Sequence, residues 1–538
     1  MHDKITSPVS SSIAPNEKLE LSQSTLSKKS TMKSIVLVLT CTFAMIVKNA
    51  NSTTVSISLS TIGKELDIQE VQLQWLVSAY PLSSGCLLLF FGRLADLYGK
   101  KKAFLLGSFI SAVFTLACGF VKDAVTLDIL RGFQGVGAAA FLPASVGILA
   151  AAFPPSRDRS LAFAIFASGA PLGAALGVAL GGVLTQKTEH TWRATFWMQC
   201  GLTVLCFIGG VFSIDPDVPS TESDRRVDWL GALLVTAGLV LVVFVLGQGE
   251  VALQQWATPY IISLLIVGVG FIIAFIFWQR HLEKVQNTPG APYSALTPPP
   301  LMKTSVWGRA RGRFAVTLAI AFLTWCSFFG WNLWVQLYYQ NFMGYSPLAT
   351  VLRLVPLYVA GTFCTAIVAF FIGRISVVYL VVIGTLGTAI SALLFAVIIP
   401  SVSYWAFGFP AIAISVVGVD IIFASGTLFL AKISLPHEQS VAGALFQTMT
   451  QLGTALGPTV STVVFNRVTS RQPGRRPNLD SYHAAQWTAF AFGVLATILA
   501  FIFYKGVGIV GQEKKAKDVE SSSGDQEETM TESKTETV

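Results

Sequence analysis

Gly92-Arg93-Leu94-Ala95-Asp96-Leu97-Tyr98-Gly99-Lys100-Lys101-Lys102 is a short polar stretch between two long apolar runs, residues 72–92 and 103–121. So few residues cannot form a domain, and the flanking runs must turn back beside each other. The two glycines allow close backbone approach. Lys and Arg of short loops accumulate on the cytosolic side of a membrane, which places the turn there. Asp96, Arg93 and the lysines also offer a compact set of ion pairs at the membrane edge. A bare topology signal would explain that much.

Composition points the same way. Hydrophobic residues are 53% of the 538 and charged residues 12%, about half the charged share of a soluble protein. Mean hydropathy is +0.63. The net charge of +8 therefore belongs to cytosolic loops and is no sign of a nucleic-acid partner. The seven cysteines (Cys41, Cys86, Cys118, Cys200, Cys206, Cys326, Cys364) all fall in apolar runs, without disulfide framework or metal-ligand spacing. No Gly-x-x-x-x-Gly-Lys-Ser/Thr phosphate loop is present, which argues against an ATP-driven pump. No His-Glu-x-x-His helix occurs and none of the five histidines lies mid-span, so no enzyme, metal or cofactor is expected.

Fourteen runs are long enough to span, at about 20 residues each. They cover 34–59, 72–92, 103–121, 126–152, 161–184, 195–214, 227–247, 258–279, 313–336, 348–371, 376–398, 404–432, 439–466 and 484–507. An even number puts both termini on one side. Lys28, Lys29 and Lys33 before the first run, Arg157 and Arg159 in the fourth loop, and Arg280, Lys303, Arg309, Arg311 and Arg313 in the eighth share that side with Lys505, Lys514, Lys515 and Lys517. By the charge rule that side is cytosolic. Arg467, Arg471, Arg475 and Arg476 fall on the opposite side, the one loop that disagrees.

The pattern Gly-Arg-Leu-Ala-Asp-x-x-Gly-Lys-Lys-Lys between the second and third runs resembles the loop signature of the major facilitator superfamily. The resemblance implies that Gly92, Arg93, Asp96, Gly99, Lys100 and Lys101 form a conformational latch between two six-helix halves. A partial repeat, Gly373-Arg374-Ile375, follows the tenth run. The expected fold is an all-α integral membrane protein of fourteen transmembrane helices: two pseudo-symmetric six-helix bundles plus two inserted helices. Its parts are a disordered cytosolic tail (1–33), an N-terminal bundle (34–214), the inserted pair (227–279), a cytosolic linker (280–312) with Pro292, Pro298, Pro299 and Pro300, a C-terminal bundle (313–507) and a disordered tail (508–538).

Arg131-Gly132-Phe133-Gln134-Gly135 puts an arginine and a glutamine into a helix of small residues. A charge there should face the bundle interior with a partner. Asp128, three residues earlier, is the simple structural partner. The stretch also resembles the superfamily's fourth-helix motif, whose arginine is implicated in proton coupling, and both readings stay open. Gly169, Gly173, Gly177 and Gly181 recur every four residues and clear one helix face for a close neighbour. The pattern is similar to the antiporter motif of proton-driven exporters, with Gly177-Val178 where that motif has Gly-Pro.

Fourteen-helix drug:proton antiporters usually carry an acid in the first helix near the place of Asn51. Asn51 can hydrogen-bond a polar substrate but cannot carry a proton, and Lys48 and Asn49 precede it. Asp420 is the acid well inside an apolar run of more than twenty residues. Such a carboxyl could exchange a proton, or simply hydrogen-bond a neighbouring helix. Trp331, Trp334 and Tyr338 share a helix face and could stack on a substrate. Gln447 and Gln451, with Gly453 and Gly457, suit a pathway or tight packing. Arg353 fits snorkelling to the interface.

Gly418-x-Asp420, Pro436 and Gly443 look like the fungal-type branch linked to aminotriazole resistance and export of secondary metabolites. Three functions follow. The first is proton-coupled efflux of a small organic molecule by alternating access. The second is facilitated movement of a small polar solute such as ammonium or borate. The third is a membrane sensor that does not transport. The expected partners are a small-molecule substrate, a proton and the lipid bilayer. A monomer in the plasma membrane is expected, with the vacuolar membrane as the alternative.

Overall fold

With no water in the hydrocarbon layer, an apolar run must satisfy its own backbone hydrogen bonds, and helix is the form that does so. A computed structural model describes residues 31–69, 72–153, 157–217, 224, 226–249, 252, 254–288, 294, 297–371, 375–434, 439–471 and 477–504. Of the proposed tails, residues 1–30 and 508–538 lie outside the described residues, as do the Gly373-Arg374 repeat, Pro292, Pro436, Arg475 and Arg476, while residues 31–33 begin the first helix.

Among the described residues fourteen long helices run in order: α1 (Thr31–Glu65), α2 (Leu73–Tyr98), α3 (Lys100–Cys118), α4 (Ala124–Ala152), α5 (Arg157–Lys187), α6 (Trp192–Ser213), α7 (Trp229–Gln248), α8 (Pro259–Gln286), α9 (Arg313–Leu337), α10 (Pro347–Phe371), α11 (Val377–Ala396), α12 (Gly408–Ile433), α13 (Gln439–Thr469) and α14 (Leu479–Phe503). Among the described residues there is no strand. Thirteen of these helices are long and apolar enough to cross a membrane. The fourteenth, α13, is diluted by Gln447, Gln451 and a series of threonines.

Helix pairing reveals the two bundles. α1 packs on α5 and α6, and α9 packs on α13 and α14; α3 pairs with α4 as α11 pairs with α12. α2 packs on α4 as α10 packs on α12. The two bundles meet through α2 with α13 and through α10 with α5, the exchange a pseudo-two-fold axis requires. α7 rests against both α2 and α13, so the inserted pair covers that seam from outside. Asp228 ties the two inserted helices to each other: it caps α7 through Gly231 N at 2.8 Å and accepts from Trp278 Nε1 (2.8 Å) and Gln279 Nε2 (2.5 Å) of α8.

The buried core is shared by both bundles at one end and falls into two clusters at the other, with Leu89 and Phe90 of α2 and Ala444 of α13 packed across between them. Val55, Ile57 and Leu59 of α1 share a cluster with Trp334 and Tyr338 after them in the other bundle, and with Leu354 of α10. Towards the opposite end, one buried cluster draws on α1–α6 and another on α7–α9 and α11–α14. Phe465, just before the Arg-rich 467–483 stretch, and Tyr482, near its end, belong to the shared cluster. The described ends of that stretch, with Arg467 and Arg471, thus lie at the end holding the α1 C-terminus, where the count of runs puts them.

Candidate functional site

The glycine series on α5 sets how closely α1 can approach. A Cβ at Gly169 would stand 2.7 Å from Thr42 O, at Gly173 2.7 Å from Ile46 Cα, at Gly177 2.7 Å from Ala50 O, and at Gly181 2.8 Å from Ile57 Cγ2. All four glycines therefore lie along α1. Thr54 Oγ1 donates to Gly177 O (3.0 Å) and Thr53 Oγ1 to Ala174 O (3.1 Å) across the same seam. The other bundle repeats the device, with Gly453 and Gly457 of α13 against Phe322, Trp325 and Cys326 of α9.

With that face of α1 occupied, Asn51 turns to α4. Gly135 lies against the Tyr80 backbone of α2 and Gly137 against Gly107 and Ser111 of α3, so α4 sits close to both. Arg131 is thereby fully enclosed. Its Nη1 donates to Gln134 Oε1 (2.7 Å) and Asn51 O (3.3 Å), its Nε to Leu76 O (3.2 Å), and its guanidinium lies 5.0 Å over the Tyr80 ring. Gln134 Nε2 donates to Asn51 Oδ1 (2.9 Å) and Thr115 Oγ1 (2.7 Å). Arg131, Gln134 and Asn51 thus form one buried network joining α1, α2, α3 and α4. Asp128 does not pair with it by hydrogen bond: its Oδ1 is buried without a partner.

One turn before Asn51, Lys48 is 8% exposed and reaches the other bundle. Nζ donates to Gln451 Oε1 of α13 at 3.3 Å and touches Asn49 Oδ1 at 3.5 Å. Ser78 Oγ donates to Ala455 O at 3.2 Å beside it, and Gly85 lets α2 close on Gln451. The sequence offered a signal for Lys48, an ionisable side chain inside an apolar run. Gln447, one turn before Gln451, is half-buried on the same helix.

Asp420 is placed elsewhere, half-buried on α12, with Oδ2 3.6 Å from where a Cβ on Gly361 of α10 would stand. It belongs to the C-terminal bundle, whereas Arg131, Gln134 and Asn51 belong to the N-terminal one. Trp331 and Trp334 are 1% and 0% exposed. Trp334 stacks on Phe465 at 4.0 Å and donates from Nε1 to Ser461 Oγ at 2.9 Å, and Trp331 meets Phe395 edge-on. Protein side chains cover both rings. Arg353 lies 3.8 Å over the Tyr345 ring and donates to Ala349 O.

The latch stretch is more helical than the hydropathy break implies. Gly92–Tyr98 form the last turns of α2, and Lys100–Lys102 begin α3. Arg, Leu, Ala and Lys are good helix formers, so polarity ends the apolar run without ending the helix. Gly99, at φ +119°, makes the break. Asp217 accepts from the backbone N–H of Lys101 (2.8 Å) and Lys102 (3.1 Å), capping α3 from the segment after α6. Lys101 Nζ donates to Ile214 O (2.6 Å), Lys100 approaches Asp96 at 3.9 Å and Arg93 donates to Asp224 O at 3.3 Å.

Two bundles of paired topology around a central seam are the arrangement anticipated from Gly92–Lys102, and comparison decides the family. The profile of the Major Facilitator Superfamily matches residues 39–458. The chain belongs to the Major Facilitator Superfamily. Among its superfamily relatives, the Low affinity ammonium transporter of Saccharomyces cerevisiae is 28% identical over 80% of each chain. The Aminotriazole resistance protein of the same yeast is 24% identical over 89% of this chain and 85% of that one. A solved peptide transporter in complex with alafosfalin superposes with a TM-score of 0.58 at 14% identity, over 86% of this chain and 94% of that one. This last likeness concerns the fold alone.

Proposed function

We propose that this superfamily transporter exports a small organic molecule by alternating access, with proton entry supplying the energy. The observation that carries the reading is how the bundles are joined. At the end holding the α1 C-terminus they are held by Ser60 to Asn341 (2.5 Å), Gln340 Nε2 to Ile57 O (3.1 Å) and Leu348 N to Gln186 Oε1 (3.1 Å). A few exchangeable hydrogen bonds over a shared apolar patch suit bundles that rock apart. With cytosolic termini this end faces outward. The domain limits 34–214, 227–279 and 313–507 serve as the moving and inserted parts, in a monomer of the plasma membrane.

In this reading Asp420 takes up and releases the proton, and the Arg131–Gln134–Asn51 network ties α4 to α1 as the bundle moves. Gly92–Lys102 is the latch. Each proton entering contributes about 2.3 kcal/mol per 100 mV of membrane potential. The relative named for aminotriazole resistance supports efflux. The relative named as an ammonium transporter supports a second reading, facilitated movement of a small polar solute. Flux in proteoliposomes with and without a pH gradient separates them: efflux requires the gradient, facilitation does not, and a sensor shows no flux.

A further inference from the structure

Lys48 is a buried cation held only by amides. Its Nζ has Gln451 Oε1 at 3.3 Å and Asn49 Oδ1 at 3.5 Å, and among the described residues no carboxylate lies within ion-pairing distance of it. An ammonium only donates, so Gln451 must turn its oxygen to Lys48, and its Nε2 is left buried with no acceptor. Nearby, Asn51 Nδ2 and Arg131 Nη2 are buried and unpartnered too. Asn51 is three residues along α1, and Arg131 lies over the Tyr80 ring, whose hydroxyl donates to Lys48 O at 3.5 Å. Asp128 Oδ1, three residues before Arg131, is a buried acceptor without a partner, so the excess of positive charge and of donors is centred on Lys48 and Gln451. A charge buried without a counter-charge is costly, and a ligand of the opposite sign removes the cost.

We propose that the carried molecule is an organic anion, its carboxylate received by Lys48 Nζ and Gln451 Nε2 where α1 meets α13. A carboxylate offers acceptors only, two oxygens that match these two donors. A cationic solute would meet Lys48 at like charge. Because Lys48 and Gln451 sit in different bundles, an anion entering between them replaces a direct contact by one through the ligand. Occupancy is thereby linked to the seam on which the bundles move. The proposal deepens the export reading and rests on it for transport, but binding can be measured without transport.

The test follows thermal unfolding of the purified full chain in detergent with benzoate, phenylacetate and hexanoate, each beside its amide. The expected result is saturable stabilisation by at least one acid and not by its amide. Lys48→Gln should weaken that acid's apparent affinity by about ten- to hundred-fold, the worth of a charged hydrogen bond, whereas Lys48→Arg should retain binding. Gln451→Glu supplies Lys48 with an internal counter-ion and should abolish the acid's effect, which keeps the test decisive if Lys48→Gln does not fold. Acids that stabilise no better than amides, a panel without effect, or acid stabilisation that survives Gln451→Glu would overturn the proposal. Gradient-driven flux in proteoliposomes is read separately, so either reading can fail without the other.

Discussion

Ser60 of α1 donates to Asn341, in the π-turn that extends α9, and so bonds one bundle directly to the other at 2.5 Å. Ser60 is 5% exposed, so little water competes for this bond. A hydrogen bond of this kind contributes about 1 kcal/mol net, enough to shift a two-state equilibrium roughly fivefold. Ser60→Ala should therefore raise the population in which this end is open. Spin labels at Lys64 and Ser346, both exposed at that end, should show a longer-distance component growing in the variant. An unchanged distance distribution would count against a gate here.

Gly99→Ala should disable the turn between α2 and α3. The backbone at φ +119° suits only glycine, and a Cβ would collide with the Asp217 carboxylate that caps α3. Both the strain, about 1–3 kcal/mol, and the lost cap act in the same direction. The variant should reach the membrane in reduced amount and unfold at a lower temperature. Asp217→Ala alone should lose the cap without the strain, and so unfold between the parent and Gly99→Ala.

On α5, Gly177→Ala should separate α5 from α1. Its Cβ would lie within 3 Å of Ala50 O and Cα, backbone atoms that cannot step aside. Overpacking of this kind costs about 1–3 kcal/mol. Gly201→Ala on α6, where nothing lies within 4 Å of the added carbon, is the matched control and should be tolerated. The comparison is read as folded yield and thermal midpoint in detergent. Equal behaviour of the two would show that the glycine spacing does not set the α1–α5 distance.

The glycine spacing was legible in the sequence because small residues every fourth position clear a face whatever lies opposite. That the opposite face belongs to α1, from Thr42 to Ile57, was not legible, since periodicity gives a face and no neighbour. The same limit applies to Asp420: its depth in an apolar run was readable, its place beside Gly361 on α10 was not. Arg131 and Gln134 share a helix turn, so their meeting could be foreseen, whereas Asn51 joins them only through the close packing of α1 and α4. Hydropathy also ended α2 too early, because Arg93 to Tyr98 break the apolar run and continue the helix. Lys48 was visible throughout, and only its contact with Gln451, 403 residues away, gives it weight.

Asp420 and Arg131 can be told apart by what their loss does. Asp420→Asn removes the ability to exchange a proton while keeping size and hydrogen-bonding capacity. If Asp420 couples the gradient, this variant should fold normally, bind substrate, and lose pH-driven uphill flux while retaining exchange in the absence of a gradient. Arg131→Gln instead strands Gln134 Oε1 and the carbonyl oxygens of Asn51 and Leu76. Each buried acceptor left unpaired costs about 1–3 kcal/mol, so stability should fall before any question of coupling arises. The measurements are thermal midpoint and vesicle flux at several imposed pH differences. Full pH-driven flux in Asp420→Asn would remove the carboxyl from the coupling route, and a network variant that folds as well as the parent would remove Arg131 from the structural one.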